Sequence, residues 1–274
     1  MSFASCRDRA FTLIELLASL SIFIILIALT ISGIDRMIKN AWAVQSSGNL
    51  RQLVAANAAY AADNEYYAPV ANRDNTIRWC AAMGSNGKFD PTKGYLSDYL
   101  GKSRRVTACP LFTHMIKGEN SFELGTGGYG YNDNYVGGRP EGQAGGRAAW
   151  NADGSRISAT PVQIGKPAQT VMFTTSAYAN GDSVQEYPYS HPPYWDFGGG
   201  PNAWGLRPSP STHFRFRGKA LVGWCDGHVS AEKCDPRDVG YNPHGGDAAE
   251  QLLGWFGPDR DNGYWNPGRE YDRE

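Results

Sequence analysis

The sequence predicts an α+β fold in which a long N-terminal helix, transmembrane in its first half, packs on an antiparallel β-sheet domain with long irregular loops. An apolar run over residues 11–34, continued by an amphipathic pattern to residue 63, predicts the helix. Short extended segments predict the sheet, and the clearest of them form a hairpin over residues 219–232. The 33 Gly, 16 Pro and 15 Tyr are typical of a loop-rich, aromatic domain over residues 64–274.

The first half of the helix, residues 11–34, contains a single charged residue, Glu15. About 20 apolar residues of helix cross the hydrocarbon core of a bilayer, so this run is long enough to span one. A carboxylate inside such a span is costly, which makes Glu15 a candidate functional residue. A short leader, residues 1–10, precedes the run and carries Arg7 and Arg9.

The second half of the helix, residues 35–63, has apolar residues at helical spacing that should pack on the sheet domain. These residues are Met37, Ile38, Ala41, Val44, Leu50, Leu53, Val54, Ala58 and Ala61. Gly48 is a weak point, since Gly inside a helix costs about 1 kcal/mol relative to Ala. Asn49, followed by Gln52, has the spacing of a cap for a second helix. We predict one helix from residue 11 to about 63, which would bend near Gly48.

The remaining chain predicts short elements between long loops. Residues 90–94 form a turn before a short helical piece at 95–100, and residues 171–175 form a buried strand. Residues 118–160 are Gly-rich and should be irregular, and residues 180–212 form a long aromatic, Pro-rich excursion. Loops of that length without structure of their own are uncommon and are often functional.

The hairpin over residues 219–232 has Asp226-Gly227 between two extended runs. This dipeptide is the strongest short-range signal for a two-residue type I′ turn. In that register Cys225 pairs with His228, and Cys234 lies opposite Lys219.

The composition argues against a nucleic-acid partner and against catalysis. The chain has 274 residues and a formal net charge of −1, without the basic stripe that nucleic acid requires. The sequence contains no Gly-x-Ser-x-Gly elbow, His-Glu-x-x-His helix, phosphate-binding loop or paired-Cys metal spacing. We therefore predict that the protein is not an enzyme.

The string Phe11-Thr12-Leu13-Ile14-Glu15 behind a short basic leader resembles the N-terminus of type IV prepilins and type II secretion pseudopilins. The resemblance implies that a prepilin peptidase cuts between Ala10 and Phe11 and that Phe11 is then N-methylated. The family usually has Gly before the cut, and Ala10 is the departure here. The alternative is a plain signal anchor that contains a Glu by chance.

Cleavage would make Phe11 the N-terminus, with Glu15 one helical turn along. Each charge needs a partner in lipid, because unpaired burial costs several kcal/mol. The resemblance implies that Glu15 of one subunit pairs with the N-terminal ammonium of a neighbour. It also implies like subunits or other pilins and pseudopilins as partners, and an inner-membrane assembly platform. The chain would cross the bacterial inner membrane once, expose a pilin-like domain outside the cytoplasm, and reside in a filament after assembly.

The predicted function is therefore a structural subunit of a type IV pilus-like or type II secretion pseudopilus filament. The alternative is a membrane-anchored extracytoplasmic protein that binds glycans or mediates adhesion. Aromatic clusters at residues 187–204 and 255–271 could stack on sugar rings, although packing explains them as well. Glu15 separates the two functions, because assembly needs it and an anchor does not.

An extracytoplasmic domain permits disulfides. Cys6 leaves with the leader, so the mature chain keeps Cys80, Cys109, Cys225 and Cys234. In the predicted hairpin Cys225 and Cys234 are roughly 20 Å apart at strand rise, whereas a bridge needs Cα atoms within about 7 Å. Four cysteines allow three connectivities. We prefer Cys80–Cys109 as the candidate bridge, with Cys225 a small buried residue beside the turn.

A second resemblance is to a bacterial branch of prepilin-like proteins that carry His, nine residues and Asp-Gly near the C-terminus. Five segments carry it: residues 49–53, 109–110, 129–132, 164–173 and 225–229. The position of the His is occupied here by Phe216, and His213 lies three residues earlier. Any role of the motif that needs the imidazole is therefore in doubt.

A metal site has three candidate ligands, His213, Asp226 and His228. Secretion pseudopilins often hold calcium in a C-terminal loop, and calcium requires several oxygen ligands. Asp226 already has a sufficient structural role, because Asp-Gly turns need residues that tolerate left-handed backbone. No ordered calcium-loop motif occurs in the sequence, so we expect no cofactor.

Overall fold

A computed structural model of the chain has the predicted α+β fold, with an N-terminal apolar helix followed by antiparallel-rich sheets. Helix α1 runs over Leu13–Asn64 and continues through Gly48 without a break. The chain divides into two compact units, Met1–Ala41 and Trp42–Glu274. The structure describes residues 12–116, 124–138, 154–155, 157–181, 183–195, 207–235, 248–257 and 262–266.

The elements after α1 are short. In chain order they are β1 (Ala82–Met83), β2 (Phe89–Asp90), α2 (Pro110–Met115), β3 (Tyr129–Asn132), β4 (Val171–Thr175), β5 (Tyr178–Asn180), β6 (Ser183–Gln185), β7 (Tyr189–Ser190), β8 (Thr212–His213), β9 (Lys219–Trp224), β10 (Val229–Lys233) and β11 (Leu253–Gly254). Strand β4 confirms the predicted buried strand, since all its residues are buried. A 3₁₀ helix at Ser97–Tyr99 lies where a short helical piece is predicted.

The largest sheet has the strand order β10-β9-β4-β3-β7. Its neighbours are antiparallel except β3 and β7, which run parallel with Tyr131 opposite Tyr189 and Asn132 opposite Ser190. Two-stranded sheets pair β1 with β2, β5 with β6, and β8 with β11. The parallel pair therefore brings the carboxyl ends of β3 and β7 to one edge of the sheet.

Strand β3 lies within a stretch that the sequence predicts to be irregular. A Cβ atom at Gly130 would lie 2.5 Å from the carbonyl oxygen of Tyr189 and 2.7 Å from Ser176 Cβ. Only glycine permits so close an approach of β3 to its neighbours. The glycines that suggested a loop thus serve the tight packing of a central strand.

Both faces of the large sheet are buried. On one face it packs with Leu50, Leu53 and Val54 of α1, none of them more than 2% exposed. The other face carries a second core cluster that includes Trp255 and Trp265. Burial on both faces agrees with the absence of charged residues from β4.

Only part of the apolar stripe of α1 contacts the domain. Leu50, Leu53, Val54 and Ala61 are buried as predicted, while Ala58 is exposed. Val44, which also belongs to the predicted stripe, is exposed. Helical spacing identifies a face but does not tell whether a partner covers it.

The C-terminal hairpin forms with a register one residue away from the predicted one. Val229 pairs with Gly223, and Trp224 N–H donates to the carbonyl of His228 at 3.0 Å. The loop therefore has three residues, and Gly227, at φ +95°, is the one with left-handed backbone. A type I′ turn would need positive φ at Asp226 as well, so the loop is a type I turn followed by a bulge.

Candidate assembly site at the helix N-terminus

The predicted cleavage and methylation residues, Ala10 and Phe11, lie outside the described residues, which begin at Thr12. Thr12 caps the helix, because its Oγ1 accepts a hydrogen bond from the main-chain N–H of Glu15 at 3.3 Å. In return, the N–H and hydroxyl of Thr12 donate to Glu15 Oε2 at 2.9 and 2.8 Å. This reciprocal arrangement is a capping box, and it satisfies N–H groups that a helix start leaves unpaired.

The helix beyond the cap is apolar and exposed on every side. The stretch Leu13–Thr30 has a mean hydropathy of 2.5, is not buried at all, and is long and apolar enough to cross a membrane. Glu15 is the sole ionisable residue in it. The hydroxyls of Ser19, Ser21 and Thr30 donate to carbonyls of their own helix at 2.8–3.0 Å. Polar groups paired in this way are compatible with a hydrocarbon environment.

The second half of α1 is held to the domain by buried polar contacts. Asn49 does not cap a second helix. Its Nδ2 donates to the carbonyls of Thr107 and Ala108 at 3.1 and 3.3 Å and to the Tyr129 hydroxyl at 3.1 Å. Ser46 Oγ donates to Cys109 Sγ at 3.2 Å. These contacts orient the helix on the domain more specifically than apolar packing alone.

The predicted Cys80–Cys109 bridge is not formed. Both residues are fully buried, and none of Cys80, Cys109, Cys225 and Cys234 takes part in a disulfide. Cys109 precedes α2 and accepts a hydrogen bond from α1 instead of meeting a second sulfur. The sequence argument excluded another pairing through hairpin geometry, but it contained no information on the distance between Cys80 and Cys109.

The three candidate metal ligands do not come together. Asp226 and His228 meet at the hairpin tip, with Oδ1 and Nδ1 2.6 Å apart, whereas His213 is fully buried in β8. Burial and the nearby charge of Arg215 hold the pKa of His213 well below its usual value, so it is a neutral core residue. Among the described residues, no group of three or more His, Cys, Asp or Glu side chains could hold a metal ion.

Phe216 occupies the motif position at which the resembling branch has His. It begins a tight turn into β9, where Phe216 and Lys219 exchange main-chain hydrogen bonds at 3.0 and 3.1 Å. The preceding Arg215 is buried and donates through Nη2 to the carbonyls of Gly128 and Ser176. Its guanidinium also lies 4.4 Å from the centre of the Phe112 ring. This segment therefore ties the β8–β9 region to β3 and α2 without an imidazole.

Sequence reasoning missed a second polar cluster, formed by Asp133, His191 and Tyr187. Asp133 Oδ2 lies 2.9 Å from His191 Nδ1, and the Tyr187 hydroxyl lies 2.8 Å from His191 Nε2. The Asp and the His are 58 positions apart and meet only because β3 and β7 pair in parallel. The sequence offered one signal for this cluster, the aromatic and Pro-rich composition around Tyr187. That composition does not identify Asp133 as the partner of His191.

Comparison with known proteins finds one match. Residues 5–34 match the family model described as a prokaryotic N-terminal methylation motif. No curated protein and no solved structure matches the chain. The matched segment contains residues 5–10 of the predicted leader, the Thr12–Glu15 cap and the exposed apolar stretch, and it is compatible with a single-pass membrane-anchored protein. The match is confined to this N-terminal segment and supports its prepilin-like character.

Proposed function

We propose that this protein is a structural subunit of a type IV pilus-like filament or a type II secretion pseudopilus, assembled through α1. The observation that carries the proposal is the methylation motif at residues 5–34, joined to an exposed apolar helix with one ionisable residue. An apolar surface on every side of a helix requires lipid or other helices around it. A subunit that moves from the membrane into a filament would be surrounded first by lipid and then by the helices of other subunits.

Processing precedes assembly in this proposal. The prepilin peptidase would cut between Ala10 and Phe11 on the cytoplasmic side of the inner membrane, and Phe11 would then be N-methylated. The domain beyond the span would lie outside the cytoplasm, and the assembly platform would extract the subunit from the membrane. We propose that the subunit works without a cofactor, a catalytic activity or a nucleic-acid partner. We also propose that it belongs to the branch with the C-terminal His-x9-Asp-Gly motif, in which Phe216 here replaces the His.

Intact mass of the membrane-extracted protein tests the processing. Cells with an active prepilin peptidase should yield a chain that begins at Phe11 and carries one added methyl group. Cells without the peptidase are the control and should retain residues 1–10. A full-length chain in both strains would contradict the proposal and favour a plain anchor.

In the proposed filament, Glu15 has a second partner besides Thr12 of its own helix. The capping box holds the carboxylate at the start of the helix, four positions from the amine that cleavage would create at Phe11. A neighbour displaced along the helix axis could present its own N-terminal ammonium to this carboxylate. Each filament contact would then neutralise two charges that are costly in an apolar environment.

A membrane-anchored glycan-binding or adhesion protein is the second candidate. The half-buried rings of Tyr187, Tyr189, Tyr194 and Trp195 favour it, since partly exposed aromatic faces can stack on sugars. Trp255 and Trp265, in contrast, are at most 1% exposed and belong to the core. The two candidates differ in whether subunits need Glu15 to associate. A filament subunit needs it, and an anchored glycan-binding protein does not.

A further inference from the structure

A hydrogen-bonded chain of three side chains lies at the edge of the large sheet where β3 and β7 end. It runs from Asp133 Oδ2 to His191 Nδ1 over 2.9 Å and from His191 Nε2 to the Tyr187 hydroxyl over 2.8 Å. Asp133 and His191 are at most 7% exposed, and Tyr187 is half-buried. The chain therefore connects a buried carboxylate to the phenol of a half-buried tyrosine.

The parallel pairing of β3 with β7 creates this arrangement. Asn132 lies opposite Ser190, so Asp133 and His191 are the next residues to leave the same edge of the sheet. Tyr187, Tyr189 and His191 alternate along an extended segment and share one face. Their successive ring centroids are 5.2 and 5.6 Å apart.

The imidazole is held firmly in this position. The main-chain N–H of His191 donates to Ser211 Oγ at 2.9 Å, and its carbonyl accepts from Trp255 Nε1 at 3.1 Å. Trp195 packs against the ring, with centroids 4.7 Å apart. A ring anchored through its backbone and its neighbours cannot turn away from Asp133 without disturbing the core.

The two contacts permit an arrangement of protons in which His191 is a base. When the carboxylate of Asp133 is the acceptor for Nδ1–H of a neutral imidazole, Nε2 is left to accept a hydrogen bond from the Tyr187 hydroxyl. Asp133 Oδ1 is buried and has no hydrogen-bond partner. A carboxylate bonded mainly to the imidazole holds the correct tautomer and stabilises the imidazolium that forms when Tyr187 releases its proton. An O–H group, a base within reach and a third group that orients the base together make an activated nucleophile.

We propose that Tyr187 is a base-activated phenol that accepts an acyl group from an electrophilic acyl donor. The phenolic oxygen attacks the acyl carbon while its proton moves to His191 Nε2. The leaving group departs with the electron pair of the broken bond and takes that proton, so one acyl group replaces one hydrogen on Tyr187. His191 is the general base, and Asp133 is a positioning residue. The product is a stable aryl ester on the subunit, one per chain.

Acetylation by p-nitrophenyl acetate, followed by peptide mass mapping of the full chain in detergent, tests the proposal. Tyr178 is the internal control, because it is also half-buried, its ring lies 5.0 Å from that of Tyr187, and burial raises the pKa of its phenol. General-base assistance typically contributes about 10²–10⁴-fold. We expect Tyr187 to react at least about tenfold faster than Tyr178, and His191→Gln to abolish the difference. Equal rates in the wild type, or an unchanged ratio in His191→Gln, would overturn the proposal.

Variants of Asp133 separate positioning from packing. Asp133→Asn is isosteric but can present its amide N–H to Nδ1, which moves the ring proton to Nε2 and removes the base. Asp133→Glu keeps the acceptor at the cost of a poorer fit. The proposal predicts that the Tyr187 to Tyr178 rate ratio falls further in Asp133→Asn than in Asp133→Glu, with cooperative unfolding retained in Asp133→Asn. A ratio preserved by Asn and lost in Glu would show that the carboxylate only fills space.

Discussion

Two stretches of the same helix differ in where their stabilising partners lie. Over Leu13–Thr30 the large apolar side chains are 42–78% exposed, and no side of the helix is covered. Over residues 46–61 the apolar residues Leu50, Leu53 and Val54 are at most 2% exposed, and the polar Asn49 is bonded to the domain. The second stretch finds its partners within its own chain. The first stretch leaves its apolar side chains exposed in the part of the chain that the structure describes, and in the proposed function lipid or other subunits would cover them.

The comparison is tested most strongly by making the same substitution in both stretches. Leu53→Ala should destabilise the domain by about 2–5 kcal/mol, because a buried Leu loses its contacts and leaves a cavity. Leu20→Ala, where the side chain is 54% exposed, should leave domain unfolding unchanged. Denaturant unfolding followed by tryptophan fluorescence measures both. A large effect of Leu20→Ala would show that the domain depends on the first stretch.

A smaller effect is expected where the second stretch uses hydrogen bonds instead of apolar contacts. Asn49→Ala removes the donor to the carbonyls of Thr107 and Ala108 and to the buried Tyr129 hydroxyl, and should cost about 1–3 kcal/mol. Gln52→Ala, at an exposed position on the same helix, is the control and should change stability by less than about 0.5 kcal/mol. Equal effects in the same unfolding assay would mean that the contacts of Asn49 contribute nothing specific.

The smallest effect is expected at the exposed hairpin tip. Burial raises the pKa of Asp226, but hydrogen bonds from the main chain and ring of His228 outweigh it and hold the pKa below the ordinary 3.8. Because the folded-state pKa is the lower one, ionised Asp226 stabilises the fold above about pH 3.8, and this contribution is lost as the pH falls through the folded-state pKa. Asp226→Asn should therefore lower the unfolding temperature slightly at pH 6 and not at pH 2. A difference that grows toward low pH would contradict this sign.

The sequence predicted what local pattern controls. The apolar run, the amphipathic face at Leu50, Leu53 and Val54, and strand β4 all follow from spacing within one segment. The hairpin was predicted but its register was not, since Asp226 does not adopt the positive φ that a two-residue turn requires. Turn type depends on one backbone angle that the Asp-Gly dipeptide favours but does not impose.

What the sequence did not predict depends on contacts between distant segments. Strand β3 was predicted to be irregular because its segment is rich in glycine. Gly130 is needed there because Tyr189 and Ser176 lie too close for a Cβ atom, and the sequence alone does not show that contact. The Asp133–His191 pair required knowledge of a parallel pairing across 58 positions. The preferred Cys80–Cys109 bridge depended on a distance between two segments that no local pattern contains, and neither residue takes part in a disulfide.

The charge of Glu15 either pairs with a neighbouring subunit, as proposed, or only caps its own helix. Three variants separate these roles. Glu15→Gln keeps the capping box, which accepts Gln as well as Glu, and removes the charge. Thr12→Ala removes the cap hydroxyl and keeps the carboxylate, and Glu15→Ala removes both functions.

Site-specific crosslinking between subunits, at matched membrane levels of wild type and the three variants, is the decisive measurement. Leaving a neighbour's ammonium unpaired costs about 3–5 kcal/mol at each contact, so both Glu15 variants should lose crosslinking strongly. Thr12→Ala should retain it, and membrane levels of Glu15→Gln should hold or rise, since insertion without the acid is easier. If Glu15→Gln crosslinks as well as wild type while Thr12→Ala does not, the carboxylate is a helix cap and the charge pairing is wrong.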